Sequence, residues 1–220
     1  MIEINKLVRS KRKTLALIVE TDGTLTVRAP LRMKEVDIRR FIEAKQDWIS
    51  RKQAKTRDEA VVPRQYMEGE TFWYMGREVP LRIISTGKLA LVMDGSFKLA
   101  KSAQSKAESV FITWYRKQAR KVLTERVEFF ARKHDFKFGK IRISSARTRW
   151  GSCSSKDTLS FTWRLVMAPL DVIDYVVVHE LCHLKEMNHS KVFWAQVEAI
   201  LPDYKRRRKW LKDNGARLHL

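Results

Sequence analysis

The sequence predicts an α+β protein, with a β-rich N-terminal half followed by a half that mixes strands and helices. Three observations support this prediction. Short apolar and β-branched segments separated by turn dipeptides dominate the first 104 residues. Apolar residues then recur with helical spacing from about residue 107 to residue 134. From about residue 170, the chain consists of apolar and amphipathic segments long enough to form helices.

The N-terminal half is predicted to contain paired strands and one helix. Asp22 and Gly23 separate two strand-like runs in "TLALIVETDGTLTVRAP", which is typical of a hairpin. Residues 34–55 are predicted to form a surface helix, because their apolar residues recur at nearly helical spacing among charges. Strand character then returns, with turn dipeptides at Met75-Gly76, Thr86-Gly87 and Asp94-Gly95.

A polar stretch, "KSAQSKAES" at 101–109, predicts a boundary between two regions: 1–104, which is β-rich with one helix, and 105–220. The second region is predicted to begin with a long helix, from about Ala107 to His134. Two strands follow, at "KIRISSAR" and "TLSFTWRLVM". The remaining predictions are three helices, at about 170–186, 190–201 and 203–214, with Ser190 and Asp203 as N-caps and Gly215 as a C-terminal stop.

The composition of the chain restricts its class. Its 220 residues are 44% hydrophobic, which is enough to bury a core, and its two cysteines are too few for a disulfide framework. The chain begins without an apolar leader and lacks a run of roughly 18 apolar residues, so we expect a cytoplasmic protein with no membrane span. A net charge of +20 favours an acidic partner, nucleic acid above all, but a basic solvated surface explains it equally well.

Three of the five histidines fall in "VVVHELCHLKEMNHSKVFW", which contains an H-E-x-x-H motif. His179 and His183 are four residues apart on a predicted helix, so both imidazoles lie on one face and can bind one ion. Neutral imidazoles leave Zn²⁺ a strong Lewis acid. Glu180, within the apolar stripe of the helix, would serve as the general base. Histidines packed without a metal are the simpler alternative.

A catalytic zinc site needs a third protein ligand, and two residues compete for this role. His189 follows the predicted end of the helix, where a turn would return it to the metal, giving H-E-x-x-H-x5-H. Glu198 is the alternative, because some zinc peptidases use a glutamate from a following helix. We favour His189, since a third histidine so close would otherwise be unexplained.

The segment from "TRWGSCSSKDTLSFTW" through "HELCHLKEMNHSKVFWAQV" resembles the YgjP-like family of metal-dependent hydrolases. That family is grouped with the SprT-like and minigluzincin zinc peptidases. The resemblance implies a zincin-like α+β catalytic domain whose active-site helix carries the motif. It also implies that His179, His183 and His189 bind zinc and that Glu180 is the base. A peptide or protein substrate is expected, although a fold-level likeness does not establish peptide cleavage.

The stretch "RTRWGSCS" and the strand after it are candidates for the rim of the active-site cleft, since zincin folds place a strand there. Gly151 would permit close backbone approach, and Arg149 would stabilise an oxyanion or hold an anionic group. A tight turn with a buried Trp150 is an equally good interpretation. Cys153 and Cys182 are most simply small core residues, and we assign neither to the metal.

Two basic runs are candidate nucleic-acid contacts: "RSKRK" at 9–13, and the part of "YKRRRKWLK" formed by Arg206, Arg207, Arg208 and Lys209. SprT-like relatives act on proteins bound to DNA, so the resemblance favours such a partner. A solvated helix face, with Tyr204, Trp210 and Leu211 turned to the core, explains the second run without one.

Three functions remain open on the sequence alone. The first and favoured function is a zinc-dependent hydrolase that cleaves peptides through metal-activated water. The second is a zinc hydrolase of a small anionic substrate such as a nucleoside triphosphate, favoured by the excess of arginine and lysine. The third is a nucleic-acid-binding module with a structural metal, although structural zinc sites usually close with four ligands and favour cysteine.

Overall fold

The fold was analysed in a computed structural model, which describes residues 2–20, 22–58, 64–85, 87 and 89–220. The chain forms two compact units, Met1–Val62 and Pro63–Leu220. Both strands and helices occur in each unit, so the fold is α+β, as predicted. The predicted boundary between residues 104 and 105 falls inside the second unit.

The first unit contains a three-stranded sheet and two helices. Strand β1 (Lys6–Ser10) pairs in parallel with β3 (Leu25–Pro30), and β3 pairs antiparallel with β2 (Ala16–Val19). The predicted β2–β3 hairpin is confirmed: Gly23 has a φ of 84°, and the Asp22 carboxylate accepts a hydrogen bond from Thr24 N at 2.9 Å.

The helix predicted at 34–55 is in fact two helices, α1 (Glu35–Ala44) and α2 (Gln46–Asp58), separated at Lys45. Neither glycine nor proline marks this break, so apolar spacing alone did not reveal it. Of the apolar residues in that pattern, Ile42 and Ile49 are buried, whereas Val36 is 66% and Phe41 39% exposed. The buried residues close a small core over β3, formed by Leu25, Val27, Ala29, Ile38, Ile42 and Ile49.

The second unit begins with a four-stranded sheet, ordered β4-β5-β7-β6. Its strands are β4 (Thr71–Tyr74), β5 (Arg77–Ile84), β6 (Leu91–Asp94) and β7 (Ser96–Ala100). The turns predicted at Met75-Gly76 and Asp94-Gly95 are confirmed, because they join β4 to β5 and β6 to β7 in antiparallel pairs. The third turn dipeptide includes Thr86, which lies outside the described residues.

The long helix α3 (Ala107–Lys133), which matches the predicted helix closely, packs against this sheet. The ring of Phe111 lies 4.4 Å from that of Phe72, and the Tyr115 hydroxyl donates to Trp73 O at 2.5 Å. The polar stretch predicted as a boundary forms a short 3₁₀-helix, Lys101–Lys106, between β7 and α3. Residues on both sides of it share one hydrophobic core, and so they belong to the same unit.

A second sheet of three strands follows α3, ordered β8-β10-β9. Strand β8 (Lys140–Ser144) is parallel to β10 (Thr158–Thr162), while β9 (Gly151–Cys153) is antiparallel to β10 and lies at the edge. The strand predicted at 158–167 was too long, because Trp163–Met167 form a buried 3₁₀-helix. Val166 O and Met167 O of this helix accept hydrogen bonds from the β4–β5 turn.

Three helices complete the second unit: α4 (Leu170–Cys182), α5 (Lys191–Ile200) and α6 (Tyr204–Asn214). Ser190 is the predicted N-cap of α5, since its hydroxyl accepts from Phe193 N at 3.3 Å. Asp203 makes no side-chain cap bond, because its carboxylate binds arginines of α6 instead. Throughout the described part of the chain, every helix is too short or too polar to cross a membrane.

Candidate metal centre

Helix α4 is buried on almost every side, which places its titratable residues in an apolar environment. The predicted apolar stripe is confirmed, since the helix buries Val172, Ile173, Val176, Val177, Val178, Leu181 and Cys182. Glu180 is only 4% exposed, and His183, the residue that follows the last turn, is 8% exposed. Polar side chains at this depth need compensating partners, because burial removes their hydration.

The side chains of His179, His183 and His189 converge, and they form a group that could hold a metal ion. His179 Nε2 lies 3.3 Å from His183 Nε2 and 3.0 Å from His189 Nε2. The Nδ1 of His183 lies 3.0 Å from the carbonyl oxygen of Glu186. If that nitrogen donates to the carbonyl, the Nε2 lone pair of His183 faces the other two imidazoles.

His189 reaches the other two histidines because the chain turns sharply after α4. The helix ends at Cys182, four residues before the predicted end, and Cys182 O accepts from the backbone N–H groups of Lys185 and Glu186. Helix α5 then packs aromatic rings against the histidines. The ring of Phe193 stacks on His183 at 4.5 Å, and that of Trp194 stacks on His189 at 5.6 Å.

The alternative third ligand, Glu198, does not join the histidine cluster. Its side chain is 52% exposed and pairs with Lys205, with Oε1 and Nζ 3.4 Å apart. The structure therefore gathers the three histidines that the sequence favoured.

Burial and neighbouring charges shift the pKa values of His179, His189 and Glu180. Burial, followed by the charges of His183 and His189, lowers the pKa of His179 to about 3, and the pKa of His189 is also lowered, chiefly by burial. Burial raises the pKa of Glu180 to about 8, and the positive charge of Arg149 opposes that rise. Among the described residues, neither Glu180 Oε2 nor His179 Nδ1 has a hydrogen-bond partner, although both atoms are buried.

Strand β9 lies directly against Glu180. A Cβ atom built on Gly151 would lie 2.5 Å from Glu180 Oε1 and 2.7 Å from its Cγ. The close backbone approach predicted at Gly151 is therefore confirmed. The sequence did not indicate that the glutamate of the motif would be what it approaches. Trp150 is half-buried rather than buried, and it packs beside Gly215.

Arg149 lies in the exposed segment that leads into β9. Its charge acts on Glu180, so it lies near the cluster. Within the described residues, its guanidinium makes neither a hydrogen bond nor an ion pair. Its role as an oxyanion-stabilising residue stays a prediction.

A family model, the YgjP-like metallopeptidase domain, matches residues 13–214 of the chain. The chain belongs to the YgjP-like family. Its motif histidines thus lie in a domain described as a metallopeptidase, and metallopeptidases are hydrolases. The predicted zincin-like character of the second unit agrees with this description, since H-E-x-x-H occupies the last turn and C-cap of a helix beside a mixed sheet.

Among solved structures, the chain is similar to the metallopeptidase zymogen of Pyrococcus abyssi abylysin, at 21% identity and a TM-score of 0.32. That similarity covers 46% of this chain and 93% of that chain. A search of curated proteins finds no significant match.

The basic run of α6 does not offer four free cations in this YgjP-like protein. Arg206 and Arg207 bind the Asp203 carboxylate at 2.6 and 2.8 Å. Lys209 binds Asp213 at 2.5 Å. Arg208 differs, because its guanidinium carbon lies 5.0 Å from the centre of the Trp194 ring, close to His189. Binding of nucleic acid through this run stays a prediction.

The N-terminal basic run is also partly used within its own unit. Arg9 donates to the carbonyl oxygens of Pro30, Leu31 and Met33 at 2.7–3.3 Å. This arginine therefore supports the end of β3, whatever partner the rest of the run has.

Both cysteines are free thiols. Cys182 is fully buried in the core, as predicted, and burial raises its pKa to about 12. Cys153 is half-buried on β9. Neither sulfur belongs to the cluster that the histidines form.

Proposed function

We propose that this protein is a zinc-dependent peptidase that hydrolyses peptides or proteins. In this proposal His179, His183 and His189 hold the metal, and Glu180 is the general base. The observation that carries it is the convergence of three imidazole Nε2 atoms at the C-terminal end of the helix that buries Glu180. Membership of a metallopeptidase family supports the same reaction class.

The donor set fits zinc. Zinc favours imidazole nitrogen, and two nitrogens bound to it tetrahedrally lie roughly 3.3 Å apart. The observed Nε2–Nε2 distances, 3.0 and 3.3 Å, are close to that value. Metal binding requires neutral imidazoles, and the lowered pKa values of His179 and His189 keep both uncharged at neutral pH. Three ligands leave one coordination position open, as catalytic zinc sites require.

The state of Glu180 also fits a neighbouring cation. Its buried Oε2 lacks a hydrogen-bond partner among the described residues, and burial raises its pKa to about 8. A carboxyl group in that state would hold a proton at neutral pH and could not act as a base. A nearby dication, together with Arg149, would favour the ionised form.

The chemistry that zinc supplies at such a site is Lewis acidity, which makes water a stronger nucleophile near neutral pH and polarises the peptide carbonyl. The residues of the chain perform the proton transfers. Glu180 accepts the proton of the attacking water through its carboxylate and then donates it to the departing amine nitrogen. Gly151 leaves room for that carboxylate, since a side chain at 151 would occupy the same space.

Arg149 has a supporting role in this proposal. Oxyanions that develop during acyl transfer are stabilised by preorganised positive charge. Arg149 is exposed, its guanidinium has no partner among the described residues, and its charge reaches Glu180. We assign it to the negative charge that develops on the substrate beside the general base.

The test is a comparison of wild type with Glu180→Gln, both loaded with zinc, on a peptide library and a nucleotide panel. We expect the variant to keep its zinc and to lose peptide hydrolysis by about 10²-fold or more. Glu198→Gln, which changes an exposed carboxylate outside the cluster, is the control and should cleave at the wild-type rate.

Equal peptide cleavage by wild type and Glu180→Gln would refute the proposal. Nucleoside triphosphate turnover that is lost both on chelation and in Glu180→Gln would instead establish the hydrolase of a small anionic substrate. Salt-sensitive nucleic-acid binding without any hydrolysis would favour the non-enzymatic module.

A further inference from the structure

Arg208 differs from every other cation in the basic segment 205–209. Lys205, Arg206, Arg207 and Lys209 each pair with a carboxylate of this chain. Among the described residues, Arg208 has neither an ion pair nor a hydrogen bond. Its contact is the face of Trp194, with the guanidinium carbon 5.0 Å from the ring centre.

Trp194 places this guanidinium beside the histidine cluster. The indole ring stacks on His189 at 5.6 Å with an interplanar angle of 24°, and on Tyr204 at 5.4 Å with an angle of 17°. Tyr204 precedes Arg208 by one turn of α6, so helix and indole together restrict the arginine.

We propose that Arg208 binds a carboxylate group of the substrate at the rim of the candidate metal centre. This inference rests on the proposed peptidase function and extends it to substrate selection. The guanidinium is exposed and lies over the Trp194 ring, and among the described residues its N–H groups make no hydrogen bond, so they are free for a bidentate contact. Guanidinium and carboxylate match in geometry as well as in charge.

Electrostatics favour an anion at this position. A dication held by the three histidines would repel the neighbouring guanidinium, and no carboxylate among the described residues forms an ion pair with Arg208. A substrate carboxylate beside Arg208 would reduce this repulsion, whereas a substrate cation would increase it. The preference is therefore for acidic over basic substrates.

The two exposed arginines near the centre lie on different elements. Arg149 lies in the segment that leads into β9, whereas Arg208 lies on α6 against Trp194. In this proposal Arg208 is a specificity residue, separate from the oxyanion role assigned to Arg149. In a peptide, the carboxylate belongs either to the C-terminus or to an aspartate or glutamate side chain.

The experiment measures peptide binding to the zinc-loaded protein that carries Glu180→Gln, so that binding is separated from cleavage. Calorimetry compares three kinds of peptide that share one neutral sequence. The first has an amidated C-terminus, and the second has a free C-terminal carboxylate. The third kind is a set of amidated peptides, each with a glutamate at a different position. We expect at least one form with a carboxylate to bind about tenfold more tightly than the neutral form. The form that does so identifies the source of the carboxylate.

In the Glu180→Gln protein, the additional change Arg208→Gln should remove the preference for peptides with a carboxylate. Arg208→Glu should reverse that preference in favour of lysine-containing peptides. Lys212→Gln is the matched control, because it removes an exposed cation one turn further along the same helix, and it should keep the preference. A preference that survives Arg208→Gln would overturn the inference. So would equal binding of all forms, or no binding of any.

Failure of this inference is distinguishable from failure of the proposed function. If wild type cleaves neutral and acidic peptides equally well in a Glu180-dependent manner, the peptidase function is supported and the Arg208 subsite is refuted. If acidic peptides bind through Arg208 but are never cleaved, the subsite is supported and the peptidase function is refuted.

Discussion

The backbone of Gly151 lies against the carboxylate of Glu180. A Cβ atom at position 151 would lie 2.5 Å from Oε1 and 2.8 Å from Cδ of the glutamate. Glu180 belongs to the buried helix α4, and Gly151 begins the edge strand β9. Because Gly151 has no side chain, the carboxylate of Glu180, the proposed general base, can occupy the space beside β9.

Gly151→Ala should therefore impair catalysis while zinc binding is retained. The new methyl group would push the Glu180 carboxylate aside, and a displacement of about 1 Å in a reacting group costs about 10²-fold in rate. The three atoms nearest to that methyl group all belong to Glu180, so the histidine cluster should bind metal as before. Peptide turnover and zinc content, measured on the same preparation, check this expectation.

Ser152→Ala is the control for that variant. Adjacent residues of a strand point to opposite faces, so a change at Ser152 leaves the Glu180 side of β9 untouched. Wild-type turnover in Gly151→Ala would show that Glu180 adjusts without cost, or that its position does not matter.

His189→Ala should sharply reduce zinc binding. Removal of one of three ligands leaves His179 and His183 alone, which is fewer than catalytic zinc sites use. Zinc content after dialysis against a weak chelator measures the loss, with one zinc per chain expected for wild type. His134→Ala, which removes a histidine at the end of α3, should keep full zinc.

Glu198→Gln separates the two candidates for the third ligand. Its carboxylate pairs with Lys205 outside the cluster, so this variant should bind zinc like wild type. Full zinc in His189→Ala together with loss in Glu198→Gln would reverse the assignment.

The candidate site was largely predictable, because its signals are local in sequence. Two histidines four residues apart on an apolar helix share a face, and a third histidine soon after the helix end can return to them. The role of Arg208 was not predictable in this way. Its position depends on how α6 packs on Trp194 of α5, and nothing in the basic run distinguishes it from the neighbouring arginines.

The fold was predictable where the spacing of apolar residues and the turn-forming residues indicated the same structure. The hairpin at Gly23 and the helix α3 followed the sequence pattern. The boundary did not follow it, because a polar stretch such as 101–106 shows only that a segment is exposed. Contacts such as that between Phe72 and Phe111 connect residues far apart in the chain, and no local pattern reports them.

Gly76→Ala should destabilise the second unit strongly. Gly76 has a φ of 78°, and its Cβ would lie 2.6 Å from Pro169 Cγ and 2.9 Å from Pro169 Cα. Left-handed backbone costs an L-residue about 1–2 kcal/mol, and the overlap with Pro169, at the start of α4, adds to that cost. Urea unfolding should show a loss of more than about 2 kcal/mol.

Gly95→Ala provides the comparison for that variant. Its φ is 68°, but a Cβ there would meet nothing within 4 Å. We expect only the backbone cost, about 1–2 kcal/mol. Equal losses in the two variants would mean that the Pro169 contact adjusts freely.

Arg126→Met should destabilise the packing of α3 against α4. Arg126 Nε and Nη2 bind the two carboxylate oxygens of Asp174 at 2.6 and 2.9 Å, and both side chains are largely buried. Removal of one partner leaves a buried charge, which costs about 3 kcal/mol. Arg82→Met, which breaks an exposed pair with Glu68, should change the free energy of unfolding much less.

The loss in Arg126→Met should also depend on pH. Burial raises the pKa of Asp174, and Arg126 opposes that rise, so its removal lets the folded-state pKa climb further above the unfolded value. A group with a raised folded-state pKa contributes stability that is present at low pH and lost as the pH rises through that pKa. Urea unfolding at neutral and at mildly acidic pH should therefore show a smaller loss in acid. A loss that is the same at both pH values would contradict this expectation and would mean that Asp174 stays ionised without its arginine, stabilised by another group such as Arg207, whose charge also acts on it.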